Sequence, residues 1–308
     1  MLAGCALLIV LGAPARMPLM NGAAFLIGVA GLAVIAGARR AGASERLADW
    51  CLLGAAMLLP LAALAGPQMD GVGRWLVIAA ITIQPALIIV PLLALALAVR
   101  ASLILLAAVG VAALGLALQP DRGAAAMLAV GVAAPLFLAG GRRPVPIVAT
   151  AMAAVALAVA QARAVELPPV PFVEQILVDA LRGSPLAAVL ALAAAALLFM
   201  PATVKGRRSA RLAFIAVWST ALMISLFGPF PTPVVGFGGS AILGYTLSVG
   251  LLAGLADKKG ASPQPPHRTV RKDRRPPTTS ISPDRLAPSR IASRWRWHML
   301  CAQPRGSS

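Results

Sequence analysis

The chain has few of the residues on which soluble enzymes rely. Of its 308 residues only 12% are charged and 5% are aromatic, and it contains two histidines and three cysteines. Both histidines, His267 and His298, lie near the carboxyl terminus, which excludes a histidine base, a serine–histidine pair and a histidine metal site from the preceding residues. Cys5, Cys51 and Cys301 are far apart and form neither a metal-ligand spacing nor a disulfide framework.

Phosphate-binding loops are also missing. The sequence has no P-loop and no glycine-rich dinucleotide loop after a strand, which argues against ATP-driven chemistry within this chain. A catalyst built from these residues must therefore use carboxylates and arginines.

Apolar residues are what the chain has in excess. They make up 59% of it, and the mean hydropathy of +0.86 is typical of a polytopic membrane protein. Apolar runs of about 20 residues suit a hydrocarbon core of about 30 Å, and the absence of period-two alternation favours helices over a barrel. The sequence predicts an all-α bundle of about ten transmembrane helices: residues 2–15, 20–38, 48–66, 82–99, 101–118, 123–140, 144–162, 185–203, 210–228 and 238–256.

Charged residues in the short loops predict the orientation. Basic residues occupy alternate loops, which are therefore expected to be cytoplasmic together with both termini: Arg39, Arg40, Arg46, Arg100, Arg142, Arg143, Lys205, Arg207 and Arg208. Most acidic residues before residue 257 fall in the opposite loops: Asp70, Asp121, Glu166, Glu174 and Asp179. The outer face is thus the expected place for carboxylate chemistry, although loops are also simply where charges stay hydrated.

The last 52 residues differ from the rest of the chain. Residues 257–308 are rich in Pro, Ser, Thr and Arg and carry twelve Lys or Arg against three Asp. We expect a disordered basic cytoplasmic tail after a transmembrane domain of residues 1–256. Because the tail holds much of the net charge of +17, the charge indicates attraction to anionic lipids rather than to nucleic acid. A solvated tail without a specific partner is the alternative.

Three polar islands interrupt the apolar runs on the predicted outer side. The first runs from Gly73-Arg74-Trp75 to Gln84-Pro85 and fits a re-entrant or interfacial segment. Arg74 can bind a phosphate through two N–H groups while Trp75 anchors the chain in the headgroup layer. An interfacial anchor without a substrate explains the same pair.

The other two islands are a turn and an extended stretch. In Gln119-Pro120-Asp121-Arg122-Gly123, Asp121 can simply cap the following helix. The third island, residues 231–240, ends in Gly238-Gly239-Ser240. Its glycines permit close approach of the backbone to a substrate or to a neighbouring helix, and packing alone would explain them.

In this order the islands resemble the SEDS family, the RodA/FtsW-type proteins of bacterial cell-wall synthesis. Residues 74–85 are similar to the family's Arg-Trp-Ile…Gln-Pro-Ser-Glu element, residues 119–125 to Gln-Pro-Asp-Leu-Gly-Thr-Ala, and residues 231–240 to Pro-Leu-Pro-Phe-Ile-Ser-Tyr-Gly-Gly-Ser. Leu167-Pro168 opens the loop after the seventh run, as in the family. The resemblance covers roughly residues 20–256.

The resemblance implies a SEDS-like bundle that polymerises lipid II on the outer face of the bacterial cytoplasmic (inner) membrane. The role would be in division or cell shape, with a transpeptidase (penicillin-binding protein) partner. Transfer of a sugar from lipid II needs a carboxylate base, and it needs either arginines or a divalent cation to stabilise the departing pyrophosphate. The implied catalytic residues are Glu174 and Asp121. The implied substrate contacts are Arg74, Trp75, Gln84, Arg122, Arg182, Gly238, Gly239 and Ser240, and no metal ligand is predicted.

The sequence departs from the family pattern at two places. Ala86-Leu87 stands where the family has Ser-Glu, and Val90 or Pro91 where a lysine is common. The family's presumed catalytic aspartate aligns with Glu174 or, with a one-residue gap, with Val173. A catalytically degenerate SEDS-like protein that binds lipid II or a divisome or elongasome partner is therefore an alternative. A lipid or solute transporter is another, disfavoured by the scarcity of ionisable residues within the spans.

Overall fold

A computed structural model describes residues 1–79, 81–140, 143–165, 168–204 and 206–257. The predicted tail beyond residue 257 lies outside the described residues, as do Arg142, Glu166 and Lys205. The described residues form helices α1 Leu2–Val10, α2 Arg16–Arg40, α3 Glu45–Ala56, α4 Leu58–Ala65, α5 Pro85–Val99, α6 Leu103–Leu118, α7 Arg122–Ala139, α8 Pro144–Ala162, α9 Ile176–Arg182, α10 Pro185–Leu198, α11 Arg208–Phe227 and α12 Gly239–Asp257. A hairpin, β1 Leu76–Ile78 and β2 Ile81–Ile83, precedes α5, and a 3-10 turn, Met200–Thr203, follows α10.

The mostly helical fold confirms the predicted class. Nine of the ten apolar runs coincide with helices to within about four residues at each end. Six of these helical stretches are long and apolar enough to cross a membrane, and α5, α6 and α12 are shorter apolar helices. Two of the six are composite, because α3 joins α4 across a break at Met57, three residues before Pro60, and α10 joins the 3-10 turn.

The first run is the exception. Helix α1 has nine residues, about 14 Å at 1.5 Å per residue, which is half of what a hydrocarbon core requires. It packs instead with α9 and α10 in a small cluster that includes Leu7, Ile176, Ala187 and Val235. The total of about ten spans and the side on which the termini lie therefore stay predictions.

Helix α5 is the centre of the bundle. Eleven of its fifteen residues are buried, and it packs against α7, α11 and α12 as well as α6. Large apolar side chains on the outer helices point the other way: Leu64, Phe137 and Phe227 are all more than 70% exposed. A buried central helix ringed by outward apolar side chains is the arrangement expected of a bundle solvated by lipid.

The segment predicted to be re-entrant or interfacial is a β-hairpin. Leu76 pairs with Ile83 and Ile78 with Ile81, and Ala79 in the turn has a φ of 48°. Its β-branched residues favour strand, and so short a segment cannot enter and leave a bilayer as a helix. The all-α prediction is wrong at this point.

Helices α5, α7 and α11 connect the two ends of the bundle. Helices α5 and α7 begin, and α11 ends, at the end that holds the polar islands. At their other ends lie Arg100, Arg143 and Arg207, so basic residues that the sequence assigned to alternate loops gather at one end. There Arg100 pairs with the buried Asp49 at 2.8 Å.

Candidate functional site

The three polar islands meet at one end of the bundle. The side-chain amide of Gln84 donates from Nε2 to Oδ2 of Asp121 at 3.0 Å, which joins the first island to the second. The backbone N–H of Gln84 donates to Oγ of Ser240 at 2.9 Å, which joins the first to the third. Gln84, just before α5, is therefore the residue that the islands share.

Asp121 lies in the most enclosed part of this cluster. Its side chain is 1% exposed, and Oδ1 accepts the backbone N–H of Ala124 at 3.0 Å as the amino-terminal cap of α7. Because Oδ2 accepts from Gln84, both carboxylate oxygens are engaged. The geometry corresponds to the capping interpretation of the second island.

Arg74 binds the turn that holds Asp121. Its Nη2 donates to the carbonyl oxygen of Pro120 at 3.0 Å, whereas its Nε is buried and has no hydrogen-bond partner. Gln119 in the same turn donates from Nε2 to the carbonyl oxygen of Leu59 at 2.6 Å, and its Oε1 is buried without a partner. Such unsatisfied buried groups cost free energy and are often found where a ligand or water binds.

A narrow cleft opens beside this cluster. Two arginines line it together with Asp121 and parts of α7 and α11: Arg74, Asp121, Arg122, Gly123, Val165, Ile224, Gly228, Pro229 and Phe230. Its volume is about 20 Å³, room for about one water molecule. Gly123 is required here because a Cβ would overlap the ring of Phe230. Two cations beside a small cleft suit an anionic group.

Glu174 lies in the loop before α9 and does not line this cleft. Its Oε2 accepts the backbone N–H of Val170 at 3.1 Å, and the side chain is half-buried. Burial raises the pKa of Glu174, and the Val170 N–H and the positive charge of Arg74 oppose that rise. Arg74 is thus the group through which Glu174 and the cleft are electrostatically connected.

Main-chain contacts hold the Glu174 loop against the third island. The N–H groups of Thr232 and Phe237 donate to the carbonyl oxygens of Val173 and Phe172 at 2.9 and 2.7 Å. Glu174 also forms an antiparallel bridge with Pro231. The loop that carries the expected base is therefore continuous with the island that supplies Ser240.

Some of the predicted site residues stand apart from the cleft. Arg182 is exposed in the last turn of α9, and Trp75 is half-buried without lining the cleft. A Cβ at Gly238 or Gly239 would meet only ordinary contacts, at 3.9 and 3.5 Å, so the helix-packing alternative for these glycines does not hold at either position. That approach occurs at Gly244, where a Cβ would overlap the carbonyl oxygen of Leu87.

Sequence reasoning missed Asn21. This fully buried residue of α2 donates from Nδ2 to the carbonyl oxygen of Gly236 at 3.0 Å and accepts the N–H of Gly238 through Oδ1 at 3.1 Å. It fixes the third island where the chain enters α12. The available signal was a single amide side chain inside an otherwise apolar run.

The described residues contain no group of three His, Cys, Asp or Glu side chains placed to hold a metal ion together. The cationic groups of the site are arginines. A divalent cation carried by a pyrophosphate substrate stays a prediction.

The fold is similar to that of known membrane proteins. The crystal structure of the rod shape determining protein RodA from Thermus thermophilus matches with a TM-score of 0.58 at 19% sequence identity, over 83% of this chain and 92% of that one. A chain from a structure described as "Structural coordination of polymerization and crosslinking by a peptidoglycan synthase complex" matches with a TM-score of 0.55 at 20% identity, over 84% and 96%. At such identities the likeness concerns the fold. No curated protein sequence matches the chain.

A sequence-family model gives the remaining comparison. The model of the FtsW/RodA/SpoVE family, described as cell cycle protein, matches residues 11–166, which include the first two polar islands. This match covers half of the chain and confirms the resemblance that the islands suggested. The chain is a membrane protein that belongs to the FtsW/RodA/SpoVE (SEDS) family.

Proposed function

We propose that this protein is a peptidoglycan glycosyltransferase that polymerises lipid II on the outer face of the bacterial cytoplasmic membrane, in division or in maintenance of cell shape. The observation that carries the proposal is the position of Arg74. This arginine lines the cleft beside Asp121 and Arg122, and its charge acts on Glu174. Two arginines thus line the cleft, and the base lies outside it, within electrostatic reach of one of them.

The chemistry requires both kinds of group. A sugar hydroxyl oxygen forms a bond to the anomeric carbon of the donor while the bond to the pyrophosphate breaks, and the pyrophosphate departs with the electron pair. Glu174 takes the hydroxyl proton, for which a carboxylate of raised pKa is a stronger base. Arg74 and Arg122 offset the charge that develops on the leaving pyrophosphate. A divalent cation bound to that pyrophosphate would supply further positive charge.

Asp121 has a positioning role in this proposal. It holds Gln84 and the amino end of α7, and it thereby fixes the turn against which Arg74 is bound. The conservative change Asp121→Asn keeps an acceptor for the N–H of Ala124, and the Gln84 amide can rotate to pair with it. Asp121→Asn should therefore preserve most of the activity that Asp121→Ala removes.

The proposed partners are lipid II and a transpeptidase. A solved relative belongs to a complex whose description couples polymerization with crosslinking, and this chain aligns with 96% of that relative's length. A similar association would let the new glycan pass directly to a crosslinking enzyme.

Binding of lipid II or of a division or elongation partner without catalysis is the second candidate. It is favoured by Leu87 and Val90 of α5, which are buried apolar residues. They lie at or near the positions where the family has a glutamate and a lysine, so those two charged groups are missing here. The arginines beside the cleft would then serve only to attract the anionic headgroup.

Purified full-length protein with labelled lipid II and its transpeptidase partner distinguishes the two candidates. We expect Glu174→Gln to lower polymerisation about 10²- to 10⁴-fold, the usual contribution of a general base. Asp179→Asn, an exposed carboxylate of α9, is the matched control and should leave the rate unchanged. Wild-type activity in Glu174→Gln would overturn the assignment of the base. Lipid II binding without polymer from the wild type would favour the second candidate.

A further inference from the structure

A second and much larger cleft lies at the opposite end of α5, α7 and α11. Its volume is about 490 Å³, within the range of small-molecule sites. Its α7 lining runs from Val132 to the carboxyl end of the helix at Ala139, which lies about 27 Å from Asp121 for 18 residues at 1.5 Å each. The two clefts therefore lie toward opposite ends of the bundle, and this one plays no part in the proposed transfer reaction.

The lining divides into an apolar floor and a basic rim. Leu97 of α5 and Val132 and Leu136 of α7 contribute to the floor. The rim carries three exposed arginines: Arg143, Arg207 and Arg208. Among the described residues no carboxylate lines the cleft, so its net charge is strongly positive.

Further positive charge surrounds the rim. Helices α8 and α11 both start here, after Arg143 and Arg207, and neither has a side-chain cap on its free N–H groups. Helix amino ends carry partial positive charge. Arg211, one turn further along α11 than Arg207, has a buried Nε without a hydrogen-bond partner.

We propose that this cleft binds one anionic phospholipid. The phosphate lies between the three arginines, and an acyl chain covers the apolar floor formed by α5 and α7. A soluble anion would leave that floor uncovered, and a zwitterionic lipid would bring its own cation to a rim that already holds three. Such basic pockets between membrane helices are suited to anionic headgroups.

Native mass spectrometry of the full-length protein in mixed micelles tests the proposal by measuring bound lipid. Phosphatidylglycerol is the probe, and phosphatidylcholine, which has no net charge, is the comparison. The triple variant Arg143→Ala, Arg207→Ala and Arg208→Ala should bind phosphatidylglycerol about 100-fold more weakly, from roughly fivefold per arginine. The control replaces three exposed arginines outside the cleft, Arg39, Arg40 and Arg46, with alanine and should keep the affinity. Equal losses in the two triple variants would mean diffuse attraction and would overturn the proposal.

A second variant removes the space and keeps every charge. Ala139→Trp places an indole in the cleft from the carboxyl end of α7 and should abolish binding of phosphatidylglycerol. This variant tests the proposal even if the triple arginine variant fails to fold. Unchanged binding in Ala139→Trp would overturn the proposal, as would equal affinity of the wild type for phosphatidylcholine. Displacement of phosphatidylglycerol by an equal amount of polyprenyl phosphate would also overturn it, because the cleft would then select a different lipid.

Discussion

Asp121 and Glu174 are two carboxylates at the same end of the bundle, and their surroundings are opposite. Asp121 is fully buried and uses both oxygens, one on Ala124 and one on Gln84. Glu174 is half-buried, has one backbone donor, and its pKa is raised by burial. The difference separates two uses of the same chemical group. A carboxylate with both oxygens bound fastens helices, whereas one that is partly desolvated can exchange a proton.

The largest stability effect is expected from Asp121→Ala. The change removes the cap of α7, worth about 1 kcal/mol, and leaves the buried amide of Gln84 without its acceptor, which costs about 1–3 kcal/mol. We therefore expect a loss of about 2–4 kcal/mol in the free energy of unfolding, measured by chemical unfolding in detergent.

Asp121→Asn is the control for that measurement. It retains the cap and a partner for Gln84, so most of the stability should remain. Equal losses in the two variants would mean that the negative charge of Asp121, rather than its hydrogen bonds, holds the islands together.

Ser240→Ala should have an intermediate effect. It deletes the acceptor for the backbone N–H of Gln84, a residue that is only 7% exposed, and an unsatisfied buried donor costs about 1–2 kcal/mol. Ser219→Ala, on α11, is the comparison variant. An equal loss of stability in both variants would indicate a general effect of serine removal. The hydrogen bond from Gln84 to Ser240 would then make no specific contribution to stability.

Glu174→Gln is expected to change the free energy of unfolding least. Unlike Asp121→Ala and Ser240→Ala, it should not lower stability at neutral pH. Because the folded pKa of Glu174 is raised, the folded state holds the proton more tightly than the unfolded state, and stability falls as pH rises above about 4 through the folded pKa. The glutamine variant lacks this loss and should be at least as stable as the wild type at neutral pH. Melting temperatures between pH 4 and 8 would measure the difference, and a wild type that gains stability over Glu174→Gln as pH rises would contradict the raised pKa.

Catalysis provides the complementary pH measurement. If Glu174 is the base, the polymerisation rate of the wild type should fall on the acid side around a pKa above the ordinary value for glutamate, because the base must be ionised. Glu174→Asp should keep this acid limb and Asp121→Asn should not move it. A profile that is flat over that range would remove Glu174 from the reaction.

Helix positions followed from the sequence because hydrophobic length and helix length obey the same rule in a bilayer. Residues 144–162 were predicted as a span and form helix Pro144–Ala162. Such reasoning is weaker for short segments, because the length of the apolar run no longer distinguishes a transmembrane helix from other structures. Residues 2–15 contain a nine-residue helix, and residues 76–83 form a hairpin stabilised by cross-strand pairs that a search for long runs does not detect.

The meeting of the three islands was also predictable, because topology placed them on one side of the bundle. What each residue does there was not. The sequence left the role of Asp121 open between cap and catalyst, and only the positions of Gln84 and Ala124 show that its oxygens are already bonded. Arg182 was a reasonable cation by charge, yet the geometry of α9 leaves it exposed. Asn21 escaped notice because its partners are 215 and 217 residues away.

The loop that carries Glu174 is held by its main chain, and this has a bearing on how the protein can evolve. Thr232 and Phe237 donate to the carbonyl oxygens of Val173 and Phe172, groups that every amino acid possesses. Side chains in this loop can therefore be replaced over time while the register persists. Gain or loss of a single residue is different, since it would break both bonds at once and rotate another side chain toward Arg74. Lineages of this protein should thus accumulate substitutions in the loop at positions other than Glu174 but keep its length.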